Sequence, residues 1–325
     1  MRGRGVPLES VIAKTVRSLY EGGFEISKPY TNERSSINIV ARSGDKLILI
    51  KALTDTKELR SYCITEIKKA SYALRGSPLI ISERDGPHEI DKEAAYEKQG
   101  LYIVHPEALR DYIKGERHYV YYKGGRFYVK IDGRKLRELR ERIGLSLGGL
   151  ASLLGVSRKA VYEYEKGEMD ATVDVASRLY EVLSRYVNEE EALQAFKPID
   201  ILDKTVFTED EVGWRDEGGS RSRLQEEVAL KLSKLGFSIL KFKEAPFNII
   251  AKRNGDRKTL LILTLEALSD KFKEELEVLR GVAEVAKVKR LVVTRKASRE
   301  DGVISAKELD DMSSPEELIE VASSG

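Results

Sequence analysis

Apolar and polar positions follow two periods along this chain, and the switches between them outline its elements. The segment SLYEGGFEI places Leu19, Gly23, Phe24 and Ile26 as a helix closed by glycine and followed by a strand. KLSKLGFSI repeats the pattern with Leu232, Gly236, Phe237 and Ile239. Downstream, residues 37–53 (INIVARSGDKLILIKAL) and 247–265 (FNIIAKRNGDRKTLLILTL) each hold two β-branched apolar runs around a Gly-Asp turn, which predicts a β-hairpin. A helical stretch follows at 57–74 and at 271–287, then a short apolar strand at 78–82 and at 290–294. A last strand leading into a helix starts at Leu101 and again at Gly302. Each end therefore predicts the same order of opening helix, strand and hairpin, crossover helix, two further strands and closing helix, and the chain contains an internal repeat.

Between the repeats, residues 118–131 (HYVYYKGGRFYVKI) alternate around Gly124-Gly125, whose freedom at positive φ suits a two-residue type I′ turn. This predicts a further, isolated hairpin. Its aromatics Tyr119, Tyr121, Tyr122, Phe127 and Tyr128 interleave with Lys123, Arg126 and Lys130. Stacking on bases and packing against a neighbouring domain both account for that stripe; packing is favoured because two strands alone are barely stable.

From 133 to 183 the period becomes helical. Leu136, Leu139 and Ile143 form a stripe and Gly144 ends the first helix. Ser146 caps a short helix, Leu147 to Leu154, closed by Gly155; Ser157 caps a third that runs to Lys166 before Gly167. Two short helices joined by LGVS make a helix-turn-helix. Ala151, Gly155, Val156, Val161 and the ending Tyr164-Glu-Lys-Gly167 resemble the Cro/C1 (Xre-like) family. That family commonly has Gln at the first position of its second helix, and here it is Leu147, so phosphate anchoring falls to helix-terminal amides or nearby Arg and Lys. The resemblance turns Ser157, Arg158, Lys159, Tyr162, Glu163 and Lys166 toward the major groove of double-stranded DNA. Arg158 and Lys159 suit guanine O6 and N7. Tyr162 suits a thymine methyl or a phosphate, or packs on the second helix.

The repeated ends resemble the restriction-endonuclease or PD-(D/E)xK fold, as in Holliday-junction resolvases. An active member holds its metal with an Asp on the first hairpin strand and an acid-x-Lys on the second, since phosphodiester hydrolysis needs carboxylates for the ion and a cation beside the water. Here the Asp position reads Asn38 and Asn248. The acid-x-Lys position reads Leu49-Ile50-Lys51 in the first copy and apolar residues around Leu263 in the second. Only Lys51 fits, as a catalytic remnant, a phosphate contact or a snorkelling strand residue. Both copies thus read as degenerate, and acids such as Asp45, Asp55 and Glu66 would have to move to restore a metal site.

Composition narrows the function classes. The 325 residues exceed the usual size of one core, and 41 % apolar with 34 % charged residues supports packed domains. No apolar run approaches the length of a membrane span and no hydrophobic leader opens the chain, which predicts a cytoplasmic protein. One cysteine, Cys63, and three scattered histidines, His88, His105 and His118, give no metal-ligand spacing, so neither a cofactor nor a structural metal is expected. Abundant Lys, Arg and Glu beside five Asn and three Gln is a thermophilic bias. The net charge of +2 divides into +3 for 1–114, +4 for 115–187, −7 for 188–217 and +2 for 218–325. The acidic stretch reads as a solvated linker, or as a cover for the basic segment.

These observations predict a multidomain α/β (α+β) chain. A degenerate nuclease-like domain (1–114) precedes a β-hairpin with an all-α helix-turn-helix domain (115–187); an acidic linker (188–217) and a second nuclease-like domain (218–325) follow. The whole resembles archaeal proteins described as Cro/C1-type transcriptional regulators. That implies a sequence-specific, non-enzymatic DNA-binding regulator acting as a homodimer. A structure-specific nuclease or repair factor, and a non-specific chromatin or scaffold protein, are the alternatives. No small-molecule effector is specified.

Overall fold

A computed structural model describes residues 7–203, 207, 222–253, 258–266, 272–296 and 301–322. The chain forms two compact units, one of residues 1–90 with 202–325 and one of residues 91–201. This grouping differs from the expected division. The two ends share a unit, and the strand and helix from Leu101 fall in the central one. The Gly-Asp turn near 255 and residues 204–206 and 208–217 of the expected acidic linker lie outside the described residues. The linker's first part, 188–201, is not a solvated linker but is folded into the central unit, with Ala192, Ala195, Phe196, Ile199 and Ile201 buried.

In the first copy, α1 (Leu8–Glu21) buries Leu8, Val11, Ile12, Thr15 and Leu19, the stripe a helix of 3.6 residues per turn aligns. Gly23, at φ +72°, lets the chain turn into β1 (Glu25–Ile26). The hairpin of β2 (Ile39–Ser43) and β3 (Lys46–Asp55) closes with Ser43 opposite Lys46, around Gly44-Asp45. Residues Leu47 to Leu53 are all buried, as expected of a strand covered on both faces. The crossover helix α2 (Ser61–Leu74) returns the chain to β4 (Ser77–Asp85), parallel to β3; β5 (His88–Glu89) edges β4.

The central unit contains β6 (Ala94–Lys98), β7 (Leu101–Val104), α3 (Pro106–Ile113), β8 (Val120–Lys123) and β9 (Arg126–Ile131). Helices α4 (Gly133–Arg142), α5 (Leu147–Leu154) and α6 (Arg158–Lys166) follow. Then come β10 (Ala171–Thr172), α7 (Val173–Ser184), α8 (Glu189–Leu193) and β11 (Phe196–Lys197). The hairpin β8–β9 is not isolated. β6 pairs parallel with β8, and β9 pairs with both β10 and β11. Nor do the helices form an all-α domain, since Val129, Ile131 and Phe196 from the strands share one core with Leu136, Leu150, Val161 and Leu179. The physical reason is the one that makes a lone hairpin marginal: its apolar face needs a partner, and the helices need a floor.

The second copy runs α9 (Arg223–Lys234), β12 (Phe237–Lys241), β13 (Ile249–Arg253), β14 (Thr259–Leu265), α10 (Phe272–Ala286), β15 (Lys289–Thr294), β16 (Val303–Ser305), α11 (Ala306–Asp311) and α12 (Pro315–Val321). Its five strands lie in sequence order, β12 to β14 antiparallel and β14 to β16 parallel.

The two copies pack reciprocally. Crossover helix α10 lies against β2, and α2 lies against β13, so each copy offers the same helix to the same strand of the other. Glu66 on α2 accepts hydrogen bonds from the amides of Lys243 (2.5 Å) and Glu244 (3.2 Å). From β2, Arg42 donates to the carbonyls of Val285 (2.6 Å) and Ala286 (3.1 Å), closing the last turn of α10. Gly281 permits the approach, because a Cβ there would stand 3.0 Å from the Lys28 nitrogen. Separate end domains were the expectation; the ends instead form one unit, because these helices bury against the opposite copy.

Candidate nucleic-acid interface

The helix-turn-helix is assembled from its caps inward. Asp132 accepts from the Lys135 amide (3.1 Å), Ser146 from Gly149 (2.9 Å) and Ser157 from Ala160 (3.0 Å), so each helix starts on a side-chain oxygen. Gly155 (φ +68°) and Gly167 (φ +72°) end α5 and α6 in the left-handed region. Leu150, Ala151, Leu154, Val161 and Tyr164 are buried, while Leu147 and Val156 are half-buried against the same core. Leu147, where the family pattern puts Gln, is therefore a packing residue.

Locking α6 in place is a buried ion pair. The Arg140 guanidinium on α4 donates to the two Glu165 carboxylate oxygens at 2.5 and 3.1 Å, and also to the Leu145 carbonyl at 2.8 Å. Both side chains are less than a tenth exposed. Beside the pair, a Cβ on Gly133 would come within 2.5 Å of the Tyr164 and Glu165 carbonyls, so only glycine lets α4 begin so close to the end of α6. The sequence pattern alone does not pair Arg140 with Glu165, although Arg140 lies four residues after Leu136, on the apolar side of its helix. A charge there needs a partner.

Outward from this frame stand the expected contact residues. Ser157, Arg158, Lys159, Tyr162 and Lys166 are exposed and Glu163 is half-buried. Among the described residues Arg158 and Lys159 form no ion pair, whereas Arg134, Arg137 and Arg142 of α4 pair with Glu138, Glu141 and Glu191. Tyr162 is 46 % exposed. The Lys166 ammonium stands 4.9 Å from its ring centre. A hydrogen bond to Tyr162, and the nearby Glu168 carboxylate, raise the Lys166 pKa.

Most of the hairpin aromatics are used in packing, while Phe127 keeps an exposed face. Tyr121 stacks on Tyr128 at 5.7 Å and donates its hydroxyl to Asp170 at 2.7 Å; Tyr122 and Phe127 lie against Tyr96 of β6. Lys123 pairs with Glu97, and Lys130 donates to the Tyr102 hydroxyl.

The nuclease-like positions are occupied by structural hydrogen bonds. Asn38 is buried, donates to the carbonyls of Tyr30 (2.6 Å) and Asn32 (3.3 Å), and accepts from the Ala52 amide (3.0 Å). Asn248 repeats the arrangement by accepting from the Thr264 amide (2.7 Å) and hydroxyl (3.1 Å). In the second copy Gln225 bridges the Phe242 and Asn248 carbonyls. Lys51 is 1 % exposed, donates to the Glu33 carbonyl at 3.0 Å, and burial pushes its pKa down to about 8. Beside it burial raises the Cys63 thiol. The other acids are committed elsewhere: Asp55 accepts from the amides of Lys57 and Gly86, and Glu66 serves the contact between copies. Among the described residues no group of three or more His, Cys, Asp or Glu is arranged to hold a metal ion. Nor is any helix among them long and apolar enough to cross a membrane.

Comparison with known proteins agrees with this geometry. A family model described as a PD-(D/E)XK superfamily domain matches residues 8–118, and one described as a helix-turn-helix domain matches residues 133–193. Three relatives each carry the name "Putative HTH-type transcriptional regulatory protein". That of Pyrococcus abyssi is 32 % identical over 87 % of each chain, and that of Pyrococcus horikoshii 33 % over 87 % of this chain and 88 % of its own. That of Methanocaldococcus jannaschii is 31 % identical over 96 % of this chain and 95 % of its own. No solved structure matches the chain. The chain belongs to the family of HTH-type transcriptional regulatory proteins that these archaeal relatives represent.

Proposed function

We propose that the protein is a sequence-specific regulator that lays α6 in the major groove of double-stranded DNA. The observation that carries this reading is the asymmetry of α6: Val161 and Tyr164 are buried while Arg158, Lys159 and Tyr162 face outward, with the two cations unpaired among the described residues. In this reading Arg158 and Lys159 donate to guanine edges, and Ser157, Tyr162, Glu163 and Lys166 contact bases or backbone. One such helix spans only a few base pairs, so the regulator acts as a homodimer on two half-sites. The faces that the nuclease-like copies turn to each other are used within the chain, so dimerisation or backbone clamping by this unit involves another face. The Cro/C1 subtype and a cytoplasmic location belong to the same proposal.

The test is binding to a selected operator and to a random duplex across a salt series. Arg158→Ala and Lys159→Ala are each expected to cost about 1 to 3 kcal/mol on the operator and less on random DNA. Equal losses on both would make them phosphate contacts; no loss on either would remove α6 from the interface.

The reading includes no nuclease activity. Support comes from Asn38 and Asn248, whose side-chain amides hold backbone where a carboxylate would hold a metal. Neither Mg²⁺ nor Mn²⁺ is expected to produce cleavage of duplex, forked or four-way DNA. Metal-dependent cleavage abolished by Lys51→Ala would overturn this.

A further inference from the structure

The central unit contains a cavity of about 610 Å³ beside the start of α7, within the usual range for a small-ligand site. One wall is Arg126 and Phe127 of β9; another is Asp91 and Glu93 ahead of β6; the third is Thr172 to Asp174. Val120 and Val173 supply apolar surface between the charged groups.

The charges on these walls are unspent. Arg126, Asp91, Glu93 and Asp174 form no ion pair among the described residues. Their neighbours do pair, Lys92 with Glu107, Lys123 with Glu97 and Arg110 with Asp111. The Asp91 carboxylate accepts a local bond from the Glu93 amide, and its own amide donates to the Tyr96 hydroxyl. The Thr172 side chain does not cap α7, so it does not occupy the helix's first amides. The carboxylates are not gathered as metal ligands either, so they suit positive charge spread along an organic molecule.

One guanidinium among three carboxylates selects a ligand class. A nucleotide or other anion would meet an excess of like charge. An apolar ligand would desolvate four charged groups without pairing them. A simple diamine would leave Arg126 facing cations. A zwitterion with one carboxylate and an extra cationic group satisfies every wall. We propose that this cavity binds a free basic amino acid, with Arg126 taking the α-carboxylate, Phe127 and the two valines the methylene stem, and Asp91, Glu93 and Asp174 the α-ammonium and the side-chain cation. Arg suits the carboxylate because its donors match two oxygens at once. This site stands independently of the DNA-binding reading.

Titration calorimetry on the full chain, without DNA, tests the assignment using L-lysine and L-arginine, cadaverine (no carboxylate) and norleucine (no side-chain cation). At least one basic amino acid is expected to bind with Kd of about 1 mM or tighter, and at least about tenfold more tightly than cadaverine or norleucine. Arg126→Ala should erase the preference over cadaverine, and Asp174→Asn should erase the preference over norleucine. Both residues are exposed, so the fold tolerates the changes. Failure of both basic amino acids to bind at about 10 mM would overturn the proposal. So would equal binding of all the probes, or basic amino-acid binding that neither variant alters.

Discussion

On α6 of the central unit, Arg158 and Lys159 extend from a helix anchored on its far side by Val161 and Tyr164, and neither forms an ion pair among the described residues. In the hairpin of the end unit, Asn38 and Lys51 point inward and bond the backbone of Tyr30, Asn32, Glu33 and Ala52. Both sets of polar residues stand where a sequence reader expects chemistry. The difference lies in whether their hydrogen-bonding capacity is already used. A buried polar group must satisfy itself within the protein, and one that has done so has nothing to offer a ligand. The second copy makes the same point: Asn248 keeps the bond across the hairpin while Leu263 stands near the lysine position.

Substitutions can break that contrast in decreasing steps. The largest effect is expected at the clasp behind α6. Arg140→Ala or Glu165→Ala strands a buried charge and should cost about 3 to 5 kcal/mol in denaturant unfolding. A loss under about 1 kcal/mol would mean the pair is hydrated and does not hold the helix.

Next is Lys51, with the opposite sign. Its folded pKa of about 8 lies below the ordinary 10.5 because burial disfavours the ammonium. Between those values the unfolded chain binds more protons than the folded one, so stability rises with pH across that window. The rise is at most about 3 kcal/mol. Lys51→Met should remove the rise and leave stability at pH 7 equal or higher; a parallel pH profile for both proteins would show that the ammonium is solvated.

Asn38→Ala and Asn248→Ala should each cost about 1 to 3 kcal/mol, because each leaves a buried strand amide unbonded. Similar losses at the two sites would sharpen the view that both copies use this residue structurally. A silent Asn38→Ala would free that side chain for another role. Smallest in stability is Arg158→Ala, expected within about 0.5 kcal/mol of the parent in thermal unfolding, so that its effect falls on DNA binding.

Several features were legible without coordinates because they are local. The caps Ser146 and Ser157, the glycines ending α5 and α6, and the two repeated hairpins follow from side-chain oxygens, left-handed backbone and period-two alternation, all of which act within a few residues. The Asn38 and Asn248 correspondence was legible from the repeat, but not the use of their amides. The hairpin at 118–131 was recognisable, though its three further strand partners were not, since pairing to residues 94–96, 171–172 and 196–197 depends on segments far along the chain.

What the sequence alone determined, then, is the repeat with its helices and hairpins, the three helices from 133 to 166 and the charged face of α6, because short-range sterics and periodicity encode them. Only the tertiary structure decided that the chain's two ends share one unit, that Arg140 finds Glu165, and that Lys51 lies buried beneath the Glu33 carbonyl. Each of these depends on which distant surface covers an apolar face or satisfies a polar atom. That choice is made by packing across the whole fold rather than by any window of the chain.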